Sequence, residues 1–281
     1  MQRIALVTDS AADLPDDLAA ALGATVVPLL VYFGEEEIRA SDLPPLAFWE
    51  RMATPGTPLP RTAACSPADF LTAFQACFDG GAEAIICVTV GGKLSATLKS
   101  AQIAAQQLAP REIYVIDSEC ASMGEGLLLQ VAAALREAGE PAAVIAERTV
   151  ARAADLSFYV ALETLEYLRR GGRISGAQAA IGSVLAVKPI ITIKDGVVEA
   201  VDRVRTRSRA RERLLELITA RPLDRVAILH ARTADIEAFR EEVMARSGIA
   251  PERVSTAVIG ASIGPHVGPG AYGAVCLYRP S

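Results

Sequence analysis

The fold is decided by residues 88–97, which read Val88-Thr89-Val90-Gly91-Gly92-Lys93-Leu94-Ser95-Ala96-Thr97. An apolar run of strand length leads into the two glycines, and apolar residues recur at helical spacing after them. Ser95 is therefore the predicted N-cap of a helix, with Thr97 in its first turn. Unpaired N–H groups and the positive end of the helix dipole make such a helix start favourable for an anion. The stretch predicts a strand, a glycine turn and a helix, and it leaves open a structural cap or an anion site.

This stretch is not a nucleotide P-loop. That motif requires Gly-x-x-x-x-Gly-Lys-Ser/Thr, whereas Cys87 stands at the first glycine position and Leu94 follows Lys93. Residues 88–97 are therefore not expected to bind the phosphate groups of a nucleotide.

Strand and helix patterns alternate around the stretch, from residue 3 to residue 154. A strand over 3–8 is followed by a helix that ends at Gly23. Such alternation predicts parallel βαβ units with right-handed crossovers. Because the carboxyl ends of parallel strands meet at one edge of a sheet, ligands bind there. We expect three segments to gather at this edge: Asp9-Ser10, Gly91 to Ser95 and Asp117-Ser118.

Residues 25–60 depart from this alternation. The β-branched residues from Thr25 to Phe33 predict a single strand. Residues 35–60 contain the only tryptophan, Trp49, in a predicted short helix, and they end in a run rich in proline and glycine. We expect this second segment to be a long surface excursion.

The pattern changes near residue 155, where we predict a domain boundary. Two strands, over 188–194 and 197–204, flank Asp195-Gly196, which is typical of a two-residue hairpin. The predicted fold is therefore α/β with two domains, a parallel-sheet domain over residues 1–155 and a mixed-sheet domain over residues 156–281.

Composition argues against several classes of protein. The 281 residues carry a formal net charge of -5, whereas a nucleic-acid partner requires a basic face. No apolar run is long enough to span a bilayer, so no integral membrane segment is predicted. The five cysteines form no Cys-x-x-Cys pair and several lie in apolar patterns, which favours buried thiols in a cytoplasmic protein.

A nucleophile elbow and a metal site are both rejected, and one histidine remains as a candidate ligand-binding residue. Residues 260–264 match the Gly-x-Ser-x-Gly nucleophile elbow, but Pro265 and the glycines after it oppose the required helix, and no acid follows Glu252. A metal site is not predicted, because the two histidines lack ligand spacing and no cysteine pair assists them. His266 instead lies in a Gly/Pro-rich loop over 263–270, which fixes the backbone around one imidazole and makes it a candidate ligand-binding residue.

Arginines form two clusters, over residues 169–173 and 203–213, in a chain that is acidic overall. Along an extended strand, Arg203, Arg205 and Arg207 would point to one face. Fixed guanidinium groups suit carboxylates, phosphates or an acidic protein partner.

Together these motifs resemble the DegV family of bacterial fatty-acid-binding proteins, which has the EDD fold. The resemblance covers nearly the whole chain, and several motifs in one order are more specific than any one of them. The matching motifs are Thr8-Asp9-Ser10, Asp13-Leu14-Pro15, Leu94-Ser95-Ala96-Thr97, Ile116-Asp117-Ser118, Glu166 to Ser175, Val187 to Ile191, Arg203-Val204-Arg205-Thr206 and His266 to Gly270.

The resemblance implies a long-chain fatty acid, similar to palmitate, buried between two α/β domains. Its carboxylate would be held by a hydroxyl from each of two loops, which fall here on Thr62 and Ser95. Thr97, beside Ser95, and His266, which matches the family's histidine near the head group, are also predicted to bind the carboxylate. The basic positions that match the family near the pocket mouth are Arg173, Arg203 and Arg205.

The sequence departs from the family pattern in both loops. The usual Thr-Ser-Gln-Pro-Ser reads Thr62-Ala63-Ala64-Cys65-Ser66, and the usual Ser-Gly-Thr reads Ser95-Ala96-Thr97. The hydroxyls are kept, but Ala96 places a methyl group where glycine allows close approach. The stretches that could enclose the acyl chain are 181–185, 189–191 and the neighbourhood of Phe158.

By this resemblance the protein is a cytoplasmic acyl carrier that makes no bonds itself, needs no cofactor and presents the carboxylate to a partner fatty acid kinase. One alternative is an enzyme acting on a small phosphorylated or carboxylated metabolite, with His266 as general acid or base. Another is a DNA-binding regulator, which conflicts with the acidic charge.

Overall fold

The computed structural model describes residues 2–174 and 187–280. The strands are β1 (Ile4–Asp9), β2 (Ala24–Val27), β3 (Leu30–Phe33), β4 (Glu36–Arg39), β5 (Arg61–Ala63), β6 (Ala84–Thr89), β7 (Glu112–Asp117), β8 (Leu156–Ala161), β9 (Lys188–Lys194), β10 (Val197–Val204), β11 (Leu223–His230), β12 (Val254–Val258) and β13 (Tyr272–Tyr278). The helices are α1 (Asp16–Leu22), α2 (Pro45–Ala53), α3 (Pro67–Asp79), α4 (Thr97–Gln107), α5 (Met123–Glu137), α6 (Ala142–Ala153), α7 (Glu166–Arg170), α8 (Arg207–Ile218), α9 (Ile236–Ser247) and α10 (Gly264–Val267). Within these two ranges, no helix has both the length and the apolar character that crossing a membrane requires.

Four parallel strands form the first sheet, in the order β2-β1-β6-β7. Every residue of β6 is buried, as expected of a parallel strand that is covered on both faces. The segments that follow β1, β6 and β7 meet at the carboxyl edge, where Val90 N–H donates to Asp9 Oδ2 (3.0 Å) and Gly92 N–H donates to Asp117 Oδ1 (3.1 Å). The predicted parallel sheet is confirmed.

Six strands form the second sheet, in the order β10-β9-β8-β13-β11-β12. This sheet is mixed, since β11 and β12 pair in parallel and the other neighbouring strands pair antiparallel. Asp195 (φ 50°) and Gly196 (φ 72°) adopt the left-handed conformations that a tight hairpin requires between β9 and β10. The predicted hairpin and mixed sheet are confirmed.

The strands of the first sheet end before residue 118, and those of the second begin at residue 156. We retain the boundary at residue 155 as a proposal, and the terms N-terminal half and C-terminal half denote the residues on either side of it. One cluster of buried apolar side chains, including Phe33, Leu127 and Leu229, draws members from both halves. Shared burial therefore packs the two halves together.

The prediction of one strand from Thr25 to Phe33 is wrong. Strand β2 belongs to the first sheet, whereas β3 pairs with β4 and β5 in a separate three-stranded sheet. Pro28 stands between β2 and β3, and its missing N–H suits a break between strands. The separate sheet places Thr62, on β5, opposite Val31 on β3.

The prediction of a surface excursion over 35–60 is wrong for its central part. Phe48 and Trp49 on α2 are 0% and 3% exposed, and they belong to the cluster that joins the halves. The indole Nε1–H of Trp49 donates to the carbonyl oxygen of Ile259 in the C-terminal half (2.7 Å). Helix α2 is therefore a structural link between the halves.

Candidate functional site

A cavity of about 200 Å³ lies between the two halves. Its wall is mostly apolar, with residues from the N-terminal half, such as Leu29 and Val90, facing residues from the C-terminal half, such as Ile191 and Val198. The polar residues in the wall are Thr62, Ser95, Arg173, Ser262 and His266. The carboxyl edge of the first sheet borders this cavity, as expected for a ligand site in an α/β fold.

Thr62 and His266 form a direct contact across the two halves. The Oγ1 atom of Thr62 lies 2.9 Å from Nε2 of His266. His266 lies on α10, a single helical turn, so the prediction that Pro265 and its neighbouring glycines exclude a helix here is wrong. Pro265 is tolerated because it lies in the first turn, where its missing N–H has no partner to lose.

The imidazole of His266 is electrically neutral near neutral pH. Burial, with a smaller effect from the nearby positive charge of Arg173, lowers the pKa of His266 to about 4. Nδ1 is buried with no hydrogen-bond partner among the described residues. An unpaired lone pair costs less than an unpaired N–H, so the proton belongs on Nε2. With Nε2–H donating, the hydroxyl of Thr62 keeps its own hydrogen for another acceptor.

Gly171 allows the imidazole to occupy this position. A Cβ atom added at Gly171 would lie 2.2 Å from Nδ1 of His266, although the backbone there is helical and suits any residue. The requirement for glycine at this position is therefore one of space.

Ser95 lies in the turn between β6 and α4. Its hydroxyl oxygen accepts a hydrogen bond from Thr97 N–H (3.3 Å) and pairs with the hydroxyl of Thr97 (2.9 Å). The predicted N-cap is one residue off, because α4 begins at Thr97 and the capping position is Ala96. Ala96 has a helical backbone (φ -73°, ψ -3°) and is exposed, so its methyl group causes no strain. Thr97 is fully buried and contacts Ser95, which suits a role in orienting that hydroxyl.

Arg173 connects the Ser95 loop to His266. Its Nε–H donates to the carbonyl oxygen of Leu94 (3.1 Å), next to Ser95, and a second N–H donates to Gly171 O (2.5 Å). The structure therefore brings Thr62, Ser95, Arg173 and His266 to one region of the cavity.

Arg203 and Arg205 do not line this cavity. Arg203 lies near the end of β10, opposite Pro189, and Arg205 lies in the bend before α8. The prediction that Arg203, Arg205 and Arg207 share one strand face is wrong, because β10 ends at Val204 and Arg207 begins a helix. Both Arg203 and Arg205 are exposed.

The apolar wall uses residues from two of the three predicted stretches. Phe158 and Ile191 line the cavity, whereas Ile190 points into a separate cluster beneath α8. The alternation of strand β9 explains this difference, since successive side chains point to opposite faces. The third predicted stretch, 181–185, lies outside the described residues.

Two polar features of the site were not identified from the sequence. Ser262 is 3% exposed in the cavity wall, and its hydroxyl pairs with that of Ser10 (2.8 Å). Three carboxyl groups of the N-terminal half, those of Asp9, Asp13 and Glu125, lie close enough to interact, and Asp13 also bonds to Gly260 of the C-terminal half. The motifs around Asp9 and Asp13 were visible in the sequence, but Glu125 lies inside a helical pattern that gave no signal.

Comparisons with known proteins give consistent results. A family model described as "Uncharacterised protein, DegV family" matches residues 3–279. A DegV domain-containing protein of Streptomyces coelicolor is 36% identical over an alignment of 293 positions, which covers 99% of each chain. A solved DegV family protein of Thermus thermophilus, described by its fatty-acid binding, is 36% identical with a TM-score of 0.90, covering 99% of this chain and 100% of that one. DegV of Bacillus subtilis, described as a fatty acid binding protein, is 29% identical with a TM-score of 0.87, covering 98% of this chain and 99% of that one.

Proposed function

The chain belongs to the DegV family, and from this premise we propose that it binds a long-chain fatty acid, similar to palmitate, in the cavity between its halves. The observation that carries the proposal is an apolar cavity with one polar region, where Thr62, Ser95 and His266 lie in the wall. The fatty acids bound by the Thermus and Bacillus relatives support the same class of ligand.

The polar region suits a carboxylate. The hydroxyls of Thr62 and Ser95 are two hydrogen-bond donors in the wall, and Arg173 adds a positive charge. The start of α4 lies directly behind Ser95, so its dipole also favours a negative charge. Because the one N–H of neutral His266 donates to the Thr62 hydroxyl, His266 orients that hydroxyl so that its hydrogen is available to the carboxylate.

The apolar wall suits the acyl chain. Burial of roughly 14 methylene groups, at about 0.8 kcal/mol each, stabilises a palmitate complex by about 11 kcal/mol as an upper figure. Association costs several kcal/mol, so retention of the lipid depends on nearly complete enclosure of the chain.

Mass spectrometry of an organic extract from the purified protein tests the ligand. We expect about one long-chain fatty acid per chain. An extract without fatty acid, together with binding of a small phosphorylated or carboxylated metabolite, would favour the enzymatic alternative instead.

We further propose that the protein is a cytoplasmic acyl carrier that presents its carboxylate to a partner fatty acid kinase and makes no bonds itself. The exposed arginines Arg203 and Arg205 provide cationic groups for an acidic partner surface or an acyl phosphate. Arg173, in the cavity wall, lies closer to the head group.

Replacement of Arg205 by alanine is expected to leave the fatty-acid content unchanged and to reduce acyl phosphate formation severalfold with a cognate kinase and ATP. The physical reason is loss of a surface charge that steers the partner. The matched control is Arg111→Ala, which removes an exposed arginine from the N-terminal half. Equal acyl phosphate yields from the two variants would remove Arg205 from the partner surface.

Replacement of Gly171 by alanine is expected to weaken palmitate binding about tenfold, because overpacking of the order of 1–3 kcal/mol displaces the imidazole of His266. Titration of the purified, delipidated protein with palmitate measures the change. The control is Gly172→Ala, where the added methyl group meets nothing within 4 Å but φ is +69°. We expect this control to lower the free energy of unfolding by about 1 kcal/mol while palmitate affinity is kept. Equal affinity losses in both variants would contradict the steric role of Gly171.

A further inference from the structure

Asp13 ties together two segments that form the cavity wall. Its Oδ1 accepts a hydrogen bond from Gly260 N–H (2.8 Å), and its Oδ2 accepts one from the hydroxyl of Ser122 (2.6 Å). Gly260 begins the loop over 260–267, which carries the wall residues Ser262 and His266. Asp13 therefore links the N-terminal half to the loop that positions His266.

Asp13 and Ser122, which are joined by the second of these hydrogen bonds, both have unusual backbone conformations. Asp13 has φ 48° and ψ 34°, and Ser122 has φ 55° and ψ -142°. Positive φ values are costly for residues other than glycine and persist only where surrounding contacts impose them. Ser122 directly follows the wall residue Ala121, so the strained pair lies at the edge of the cavity.

Asp13 belongs to a cluster of three carboxyl groups, which we call the carboxyl cluster: Asp9, Asp13 and Glu125. Asp9 accepts hydrogen bonds from the N–H groups of Ala11 (2.9 Å) and Val90 (3.0 Å), both of which are wall residues. Glu125 is fully buried, and its Oε1 has no hydrogen-bond partner within the described ranges. The cluster thus fixes the backbone on several sides of the cavity.

The charge of the carboxyl cluster changes near neutral pH. Burial raises the pKa of Asp13 to about 7 and that of Asp9 to about 6, against hydrogen bonds that lower both. Burial also raises the pKa of Glu125 well above its usual value, and the charges of Asp9 and Asp13 add to this effect. The ionisable groups that act on the cluster are its own members, on β1, the segment after it and α5, together with the buried thiols of Cys65, Cys87 and Cys120.

We propose that Asp13 is a positioning residue of the ligand site, and that protonation of its carboxylate loosens the loop over 260–267 and weakens ligand binding. The ligand part of this inference rests on the proposed function. An ionised carboxylate accepts stronger hydrogen bonds than a neutral acid does, so proton uptake weakens the bond from Gly260 N–H. The imidazole of His266, six residues farther along, is then held less firmly against Thr62.

This role differs from a purely structural one in the sign of its pH dependence. An acid whose pKa is raised in the folded state binds more protons there than in the unfolded state. Its contribution to the free energy of unfolding is therefore fully present below the unfolded value of 3.8 and is lost as pH rises through about 7. Ligand affinity is expected to rise over the same interval, opposite to stability.

The test compares wild type with Asp13→Asn, Asp13→Ala and Asp16→Asn. Asparagine keeps an oxygen for Gly260 N–H and removes the charge, whereas alanine removes both hydrogen bonds. Asp16→Asn is the matched control, because Asp16 is an exposed acid on α1. Palmitate affinity is measured by displacement of a fluorescent polyene fatty acid at about pH 6 and about pH 8. Ratios to wild type at each pH cancel the titration of the ligand itself.

A second measurement needs no ligand. The chain has two histidines, so ¹⁵N spectra of the imidazoles resolve His266 with His230 as an internal reference. We expect the His266 signals of wild type and of Asp16→Asn to shift with a midpoint near neutral pH, and those of Asp13→Asn to remain constant there. Asparagine is close in shape to aspartate, so we expect Asp13→Asn to fold. This measurement can therefore be made even if Asp13→Ala does not fold.

We expect the ratio of wild-type affinity to Asp13→Asn affinity to fall about tenfold from the higher to the lower pH, since one charged hydrogen bond is at stake. Unchanged pH dependence of both affinity and His266 signals in Asp13→Asn would overturn the inference. If wild type binds no palmitate while the His266 transition depends on Asp13, the proposed function fails and the positioning role stands.

Discussion

The double variant Thr62→Ala, Ser95→Ala is expected to bind palmitate at least about 100-fold more weakly than wild type. In the proposed complex each hydroxyl donates one hydrogen bond to the charged carboxylate, worth roughly 1.5–3 kcal/mol, and both are lost together. His266 also loses the partner that its Nε2 contacts at 2.9 Å. Fatty-acid content after purification and equilibrium titration of the delipidated protein measure the effect. Each single variant is expected to lose about tenfold.

Variants that keep the hydroxyls provide the control. Thr62→Ser and Ser95→Thr retain a donor at each position, and we expect them to retain bound fatty acid. The free energy of unfolding of the double alanine variant should change by less than about 1 kcal/mol, because both positions are partly exposed. Full lipid occupancy in the folded double variant would refute the assignment of the head-group site.

Replacement of Trp49 by alanine is expected to lower the free energy of unfolding by about 4 kcal/mol, since a buried aromatic ring is removed and a cavity remains. Trp49 is 3% exposed, packs edge-on against Phe48 at 4.9 Å between ring centroids, and donates to Ile259 O. Because these contacts join the two halves, retention of fatty acid should fall as well. Denaturant unfolding followed by circular dichroism measures the stability.

The control for this prediction is Trp49→Phe, which keeps an aromatic ring and removes the Nε1–H donor. We expect a smaller loss of about 1–2 kcal/mol, from the missing hydrogen bond and the smaller ring. If alanine destabilises the protein no more than phenylalanine does, the packing of Trp49 between the halves is energetically unimportant and the prediction is wrong.

Features encoded by short-range patterns could be predicted from the sequence. The hairpin between β9 and β10 follows from Asp195-Gly196, because a tight turn requires positive φ and these residues supply it. Helix α3 begins where Ser66 and Asp69 form reciprocal hydrogen bonds, as a capping box predicts. The alternation of strands and helices likewise predicted the parallel sheet, since parallel neighbouring strands are usually joined by a helical crossover.

Features that depend on distant contacts could not be predicted in the same way. The short helix α2 gave no local sign that Trp49 contacts Ile259, which lies 210 residues away. Spacing alone could not reveal that Gly171 contacts the imidazole of His266. The resemblance to a family suggested Thr62, Ser95 and His266 as one site, and the structure places all three in one cavity wall, but their roles in binding stay a prediction.

The position of β13 has a consequence for the order of folding. This strand pairs with β8 on one side and with β11 on the other, so it joins the two parts of the second sheet. It follows all the other described strands in the chain, and until it is in place β8 and β11 each present an open edge that can pair wrongly. The side of the sheet that carries the wall residues Phe158 and Ile191 is therefore fixed to the side that carries β11 only by the last described strand.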